Sequence, residues 1–216
     1  MPPSDTRAAL LAAAPSLGLA LTERQVERLC AHLALLGKWA KVYNLTAVRD
    51  PQQMLSQHLL DCLAVVAPLR RRCGEAFRLL DVGSGGGLPG LVIATLLPRV
   101  SVTCVEAVGK KAAFIRQAVL ELGLSNATAV HSRVEDLVDD PFDVVASRAF
   151  ASLAEFVTLT RPRLCGEGFW MAMKGRLLPD ELAAVPRDMA TVFHVEPLAV
   201  PLLDAERCLV WLRPTG

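Results

Sequence analysis

DVGSGGGLPG, at residues 81–90, is the stretch of sequence that decides the fold. The apolar run before it, at residues 77–82, is typical of a buried strand, and Pro89 opens a helical pattern near residues 88–97. Successive glycines permit left-handed backbone dihedrals and leave bare main chain that a ligand can touch. In open α/β sheets, ligands bind at such loops, at the carboxyl ends of the strands. The segment therefore predicts a strand, a ligand-binding loop and a helix in succession.

Strand-like and helix-like segments alternate after this loop. Helical patterns lie near residues 109–122 and 152–160. Alternation of this kind is typical of a parallel sheet with helices on both faces. The strand-like runs are 77–82, 100–105, 127–130, 143–146, 168–173, 191–195 and 208–212. We predict a Rossmann-like α/β fold with a mostly parallel, seven-stranded sheet and an antiparallel ending.

The sequence before residue 77 has a helical pattern instead. Asp50 and Pro51 mark a helix start, because a proline at the first helical position gives up no hydrogen bond. Apolar residues then recur at three- and four-residue steps, which places His58 on the apolar face of that helix. We expect an N-terminal helical extension, residues 1–76, packed on an α/β core, residues 77–216, as one compact unit.

Composition excludes several classes of protein. The chain has 216 residues, and the 52% that are hydrophobic exclude a disordered or low-complexity protein. A formal net charge of +1 excludes a basic coat for blanket nucleic-acid binding. The longest apolar stretches, such as residues 91–97, are far shorter than the ~20 residues that cross a bilayer. We expect no membrane association and, because the N-terminus is a poor signal peptide, no targeting segment.

The six cysteines show no Cys-x-x-Cys pair, and the closest two, Cys62 and Cys73, are eleven positions apart. This spacing favours buried free thiols over disulfides and over metal ligation. We therefore expect no metal and a reducing, cytoplasmic location.

The glycine loop itself supports more than one interpretation. Gly85, Gly87 and Gly90 match G-x-G-x-x-G, the dinucleotide fingerprint, in which a helix N-terminus holds a pyrophosphate. Asp81 and Gly83 extend the match to D-x-G-x-G-x-G, which resembles motif I of class I S-adenosylmethionine (SAM) methyltransferases. An acid at the base of the loop suits a cationic ligand, and the proline before the last glycine removes an amide donor, so both favour the second interpretation. A tight turn that binds nothing is a third.

Glu106 follows the second strand-like run. An acid about 20 residues beyond a glycine loop can accept hydrogen bonds from both ribose hydroxyls of an adenosine ligand. Because a dinucleotide and SAM both carry that ribose, Glu106 supports either ligand, and a solvated carboxylate is the alternative.

Five motifs together resemble a single family. They are NLTAVRDPQQMLSQHLLD (44–61), DVGSGGGLPG (81–90), HSRVED (131–136), SRAFASL (147–153) and MKG (173–175). They resemble the bacterial 16S ribosomal RNA guanine-N7 methyltransferases, long called glucose-inhibited division protein B, from about Thr22 to Arg213. The resemblance implies a class I SAM-dependent methyltransferase fold with SAM as methyl donor. It also implies a target, N7 of a guanosine in the conserved decoding-region loop of 16S ribosomal RNA.

The resemblance also implies where the cofactor binds. It implies contacts to the cofactor from Gly83, Leu88, Val134, Glu135 and Arg148. The glycine loop and the acid that follows the second strand-like run add Ser84, Gly85 and Glu106 as candidate cofactor-binding residues. Glu106 stands where the family often has an aspartate.

Methylation at guanine N7 requires no general base, because N7 already has an in-plane lone pair and loses no proton. We therefore expect no catalytic side chain, only alignment of N7, methyl group and sulfur. The candidate substrate residues are Asn44, Arg49, His58 and Lys174.

Basic residues predict an RNA-facing rim. They are Lys38, Lys41, Arg49, Arg148, Arg161, Arg163, Lys174 and Arg176. We expect 16S ribosomal RNA or the small ribosomal subunit, mature or in assembly, as the partner of a monomer. The alternatives are a NAD(P)-dependent oxidoreductase and a non-catalytic ribosome-assembly factor that keeps the fold without turnover.

Overall fold

The computed structural model describes residues 3–43, 45–46, 48, 50–148, 150 and 152–215. The strands in this part of the chain are β1 (Arg78–Val82), β2 (Ser101–Glu106), β3 (Ala127–His131), β4 (Phe142–Ser147), β5 (Leu164–Lys174), β6 (Ala190–Pro197) and β7 (Cys208–Pro214). They form one sheet in the order β3-β2-β1-β4-β5-β7-β6. The first five strands pair in parallel, and β7 is antiparallel to both β5 and β6. The predicted sheet with its antiparallel ending is confirmed.

Helices cover both faces of this sheet. They are α1 (Pro3–Ala13), α2 (Glu23–Tyr43), α3 (residues 51–63), α4 (Val66–Cys73), α5 (Gly90–Leu96), α6 (Gly109–Glu121), α7 (Leu153–Thr160) and α8 (Pro179–Ala183). Side chains of a strand alternate between the two faces, so each face has its own core. Leu79 of β1 belongs to the cluster under α1–α6, whereas its neighbour Leu80 belongs to the cluster under α7 and α8.

Helix α3 begins as the sequence predicts and then departs from the predicted pattern. Asp50 Oδ1 accepts hydrogen bonds from the amides of Gln52 at 3.0 Å and Gln53 at 2.9 Å, and Pro51 is the first helical residue. Residues Leu55–Leu60 form a π-helix rather than an α-helix. Because a π turn takes in an extra residue, the helix is not restricted to one apolar face, and it buries polar Ser56 as well as His58 and Asp61.

The helices before β1 share a core with the sheet. In α2, the ring of Trp39 lies 5.5 Å from that of Phe114 in α6, and His32 stacks on the same phenylalanine at 6.3 Å. One apolar cluster runs from Leu10 of α1 to Trp211 of β7. The packing is therefore continuous across the boundary near residue 76, and the assignment of residues 1–76 and 77–216 as extension and core of one compact unit stays a prediction.

No helix in the described ranges is long and apolar enough to cross a membrane. The same ranges contain no cluster of three or more His, Cys, Asp or Glu residues that could hold a metal ion. All six cysteines are free thiols, as the sequence predicts, but only Cys62, Cys104 and Cys208 are buried.

Candidate functional site

The predicted site residues lie together at the carboxyl edge of the sheet, where parallel strands end. Glu106 and Lys174, both predicted, end β2 and β5, and Ser147, which precedes the predicted Arg148, ends β4. Strands β2 and β4 lie beside β1, and β5 lies beyond β4. Strand β7 enters in the opposite direction and begins at Cys208, which pairs with Lys174. The residue before it, Arg207, therefore joins the same edge.

The glycines of the loop do two different things. A Cβ atom on Gly90 would lie 2.6 Å from Cys104 Sγ and 2.8 Å from Asp81 Oδ2, so this glycine lets α5 pack against the sheet. Gly83 has φ +68°, and a Cβ there would have no neighbour within 4 Å among the described residues. Gly90 is thus needed for packing, whereas Gly83 leaves open space at the end of β1.

Asp81 lies beneath the loop and does not face the open space. It is completely buried, and its Oδ2 accepts a hydrogen bond from the Gly90 amide at 2.9 Å. Its Oδ1 has no hydrogen-bond partner in the described part of the chain. Burial raises the pKa of Asp81 to about 6, although the Gly90 amide opposes the shift. Asp81 therefore fixes the start of α5, and its suitability for a cationic ligand stays a prediction.

Glu106 and helix α2 hold the loop from either side. Glu106 is buried, and its two carboxylate oxygens accept hydrogen bonds from the amides of Gly85 and Val108, both at 2.9 Å. From α2, His32 Nε2 donates to the Gly86 carbonyl at 2.8 Å. Leu36 packs so closely that a Cβ on Gly86 would lie 2.9 Å from its Cδ1. The loop is therefore fixed by β2 and by the N-terminal helices.

The first cavity at this edge, the glutamate cavity, has a volume of about 390 Å³. Its lining includes Gly83, Glu106, Val134 and Glu135, four of the predicted cofactor residues. Val82, Val105, Ala107, Ser132, Arg133, Phe150, Glu155 and Leu159 complete the lining. The slot combines apolar side chains with carboxylates, Glu106 among them, a polarity that fits the base and the ribose of an adenosine.

The second cavity, the loop cavity, has a volume of about 170 Å³. It is lined by Leu36, Leu45, Thr46, His58, Gly83, Ser84, Gly85, Gly86, Leu88, Lys111 and Arg148. Gly83 belongs to both the glutamate cavity and the loop cavity, so the two adjoin. The predicted residues Ser84, Gly85, Leu88 and Arg148 are all here.

The third cavity, the arginine cavity, has a volume of about 320 Å³. It is lined by Gln57, His58, Asp61, Arg148, Met173, Lys174, Gly175 and Arg207. His58 and Arg148 also line the loop cavity, so the three cavities form a row along the sheet edge.

Burial and a neighbouring cation keep His58 neutral. Burial, with a smaller contribution from the Arg148 guanidinium, lowers the pKa of His58 to about 4. Its Nε2 lies 2.8 Å from the hydroxyl of Thr46. His58 therefore carries no charge near pH 7 where the loop and arginine cavities meet.

The cations of the arginine cavity are paired. Arg148 forms an ion pair with Asp61 at 3.6 Å, and Asp61 also accepts from Arg207 at 3.1 Å. Lys174 Nζ lies 2.6 Å from Glu181 and 3.2 Å from the Phe150 carbonyl. The sequence analysis did not identify Arg207, which belongs to none of the five motifs.

Only some of the basic residues predicted to face RNA lie near the carboxyl edge of the sheet. Lys38 and Lys41 are exposed at the end of α2, where Tyr43 lies under Lys110 from the start of α6. Arg161 and Arg163 were predicted wrongly, because α7 carries the chain back and they precede β5 at the amino edge. Asn44 and Arg49, two of the predicted substrate residues, lie outside the described residues.

The architecture matches that of known enzymes. A SAM-dependent methyltransferase from Aquifex aeolicus superimposes with a TM-score of 0.55 at 14% identity, over 81% of this chain and 97% of that one. The seven-stranded sheet with its antiparallel end is therefore the class I SAM-dependent methyltransferase fold.

The sequence narrows this class to one family. The family model described as rRNA small subunit methyltransferase G matches residues 25–210. Proteins named ribosomal RNA small subunit methyltransferase G from Leptothrix cholodnii and Methylibium petroleiphilum are 59% and 58% identical to this chain. The matches cover 99% and 94% of this chain, and 96% and 92% of those proteins. The chain belongs to the rRNA small subunit methyltransferase G family, which favours SAM over a dinucleotide as the ligand of the glycine loop.

Proposed function

We propose that this protein transfers the methyl group of SAM to N7 of a guanosine in the decoding-region loop of 16S ribosomal RNA. The names of the relatives state a substrate class, ribosomal RNA of the small subunit, and this supports the proposed acceptor. The choice of N7 and of that loop is what the resemblance of the five motifs to the guanine-N7 methyltransferases implies.

One structural observation carries the proposal, the row of three cavities. A methyl transfer needs a donor and an acceptor side by side, with the reacting atoms in line. The glutamate and loop cavities, which share Gly83, provide adjoining spaces for the two ends of the donor. The arginine cavity, on the far side of His58 and Arg148, provides the space for the acceptor.

The residues present fit SAM. The open space at Gly83 allows the ligand to approach the main chain, and Glu106 offers carboxylate oxygens to ribose hydroxyls. Val134 and Glu135 form part of the same slot. Arg148 lies in the loop cavity, where its guanidinium would bind the carboxylate of the methionine part. SAM supplies an activated methyl group on a sulfonium.

The side chains around the reacting atoms orient the reacting groups and exclude water, and they transfer no protons. Guanine N7 attacks with a lone pair that it already has, so no group must accept a proton. His58, which is neutral because burial lowers its pKa to about 4, adds no positive charge beside a sulfonium. Holding the nucleophile in line with the methyl group supplies several kcal/mol of the barrier reduction.

The experiment is methyl transfer followed by mapping. Small subunits and naked 16S ribosomal RNA from cells that lack this protein are incubated with it and with SAM labelled in the methyl group. Borohydride and aniline then cleave the RNA at N7-methylguanosine. We expect one new cleavage in the decoding-region loop. Label on another atom, label in protein, or no label on either substrate would overturn the proposal.

A further inference from the structure

Asp61 is a buried carboxylate between two arginines that come from distant parts of the chain. Its Oδ1 accepts a hydrogen bond from Arg207 Nε at 3.1 Å, and its Oδ2 lies 3.6 Å from Arg148 Nη1. Asp61 itself is 3% exposed, whereas the side chains of Arg148 and Arg207 are 26% and 24% exposed. The carboxylate is thus hidden, and the guanidiniums it holds reach the arginine cavity.

A buried ion pair of this kind is a poor source of stability, because removing the charges from water offsets most of their attraction. The ion pairs instead fix the orientation of the two guanidinium groups. Arg148 Nη1 also donates to the Gln57 carbonyl at 3.1 Å, and Arg207 Nη1 donates to the Glu206 carbonyl at 2.8 Å. Among the described residues, these contacts leave the Nη2 group of Arg207 available to bind a ligand in the arginine cavity.

The charge of the cavity indicates which ligand. Arg148, Arg207 and Lys174 bring three positive charges, and Asp61 and Glu181, the partner of Lys174, bring two negative ones. Because Arg148 is assigned to the methionine carboxylate, Arg207 and Lys174 are the cations left for an anionic group of the acceptor. A guanidinium group held in a fixed orientation is a preferred protein ligand of phosphate oxygens.

We propose that Asp61 is a positioning residue: its Oδ1 orients Arg207 to bind a phosphodiester of the acceptor RNA in the arginine cavity, and its Oδ2 holds Arg148 for the methionine carboxylate. The proposal rests on the proposed function, since it takes RNA as the acceptor. It concerns RNA binding, however, and its test does not need methyl transfer.

The test compares variants by filter binding to a 16S ribosomal RNA fragment that contains the decoding-region loop, over a range of salt concentrations. Asp61→Asn removes a negative charge from an RNA-facing cavity, so simple electrostatics predicts tighter binding. Positioning predicts the opposite, a loss of roughly tenfold in affinity. It also predicts that the salt slope falls by about 0.7–0.9 for each phosphate that the variant no longer binds.

Two further variants complete the test. Arg207→Lys keeps the charge but removes the hydrogen bond from Nε to Asp61, and we expect the same loss of RNA affinity. It carries the test if Asp61→Asn does not fold, which circular dichroism reports. Glu206→Gln, the matched control, removes an exposed negative charge next to Arg207, and its RNA binding should be unchanged or tighter.

The outcomes separate the two proposals. If Asp61→Asn and Arg207→Lys bind the fragment as tightly as the unaltered protein or more tightly, the positioning role is overturned, even where methyl transfer succeeds. If both lose affinity with a lower salt slope, the role is supported, even where the RNA is methylated at another atom.

Discussion

Replacing Gly83 with alanine tests the cofactor site most directly. A Cβ at this position would enter the open space that the glutamate and loop cavities share. Forcing a methyl group into a filled site costs about 1–3 kcal/mol. The Kd for SAM should therefore rise roughly 5- to 150-fold, which isothermal titration calorimetry measures.

The control for this variant is Gly18→Ala. Gly18 also has φ +68°, and a Cβ there would lie 3.8 Å from Ala67 Cβ, an ordinary contact. Each substitution places an L residue in a left-handed conformation, so each should cost about 1–2 kcal/mol of stability. Only Gly83→Ala should weaken SAM binding. Equal SAM affinity in Gly83→Ala and the unaltered protein, or an equal loss in Gly18→Ala, would refute the reasoning.

Three further changes test the helices and the rim. Burial lowers the pKa of His32 to about 4, so unfolded chains take up a proton that the folded protein does not. The free energy of unfolding should decrease as the pH drops from 6.5 to 4. In urea unfolding, this decrease should be smaller by roughly 3 kcal/mol in His32→Gln than in the unaltered protein. Gly90→Ala should cost at least about 1–3 kcal/mol in the same assay, because its Cβ would overlap Cys104. The double variant Lys38→Gln/Lys41→Gln should bind 16S ribosomal RNA with a salt slope lower by about 0.7–0.9 for each phosphate that these lysines neutralise.

Each of these changes has a control. For the glycine, Gly166→Ala in β5 adds a Cβ with no described neighbour within 4 Å, and stability should change by about 0.5 kcal/mol at most. For the lysines, Arg99→Gln removes an exposed charge at the amino edge and should leave the salt slope unchanged. For the histidine, the same pH dependence of the free energy of unfolding in His32→Gln and in the unaltered protein would contradict the lowered pKa of His32.

Local patterns predicted the parts of the site that lie close together in sequence. The glycine loop follows β1 directly, and Glu106 lies one helix and one strand further on, a distance that the fold type fixes. The buried β1 and β2 then bring loop and acid together, and the amide of Gly85 meets the carboxylate.

Other features depend on the direction in which a segment runs. Arg207 reaches Asp61 because β7 enters the sheet antiparallel between β5 and β6, and nothing in the residues before Cys208 indicates this. The prediction for Arg161 and Arg163 also depended on the direction of a segment, since they follow α7 to the amino edge. A count of charge along the sequence does not show that α7 carries them away from the carboxyl edge.

The contacts that His32 and Leu36 of α2 make with Gly86 limit how far this protein can be shortened from its N-terminus. A fragment that starts at residue 77 would retain all seven strands but lose His32 as partner of the Gly86 carbonyl and Leu36 as its cover. The glycine loop would then face solvent on the side where the helix now supports it. A minimal version of the protein has to begin before Glu23, and any fusion or circular permutation has to keep this helix joined to the sheet.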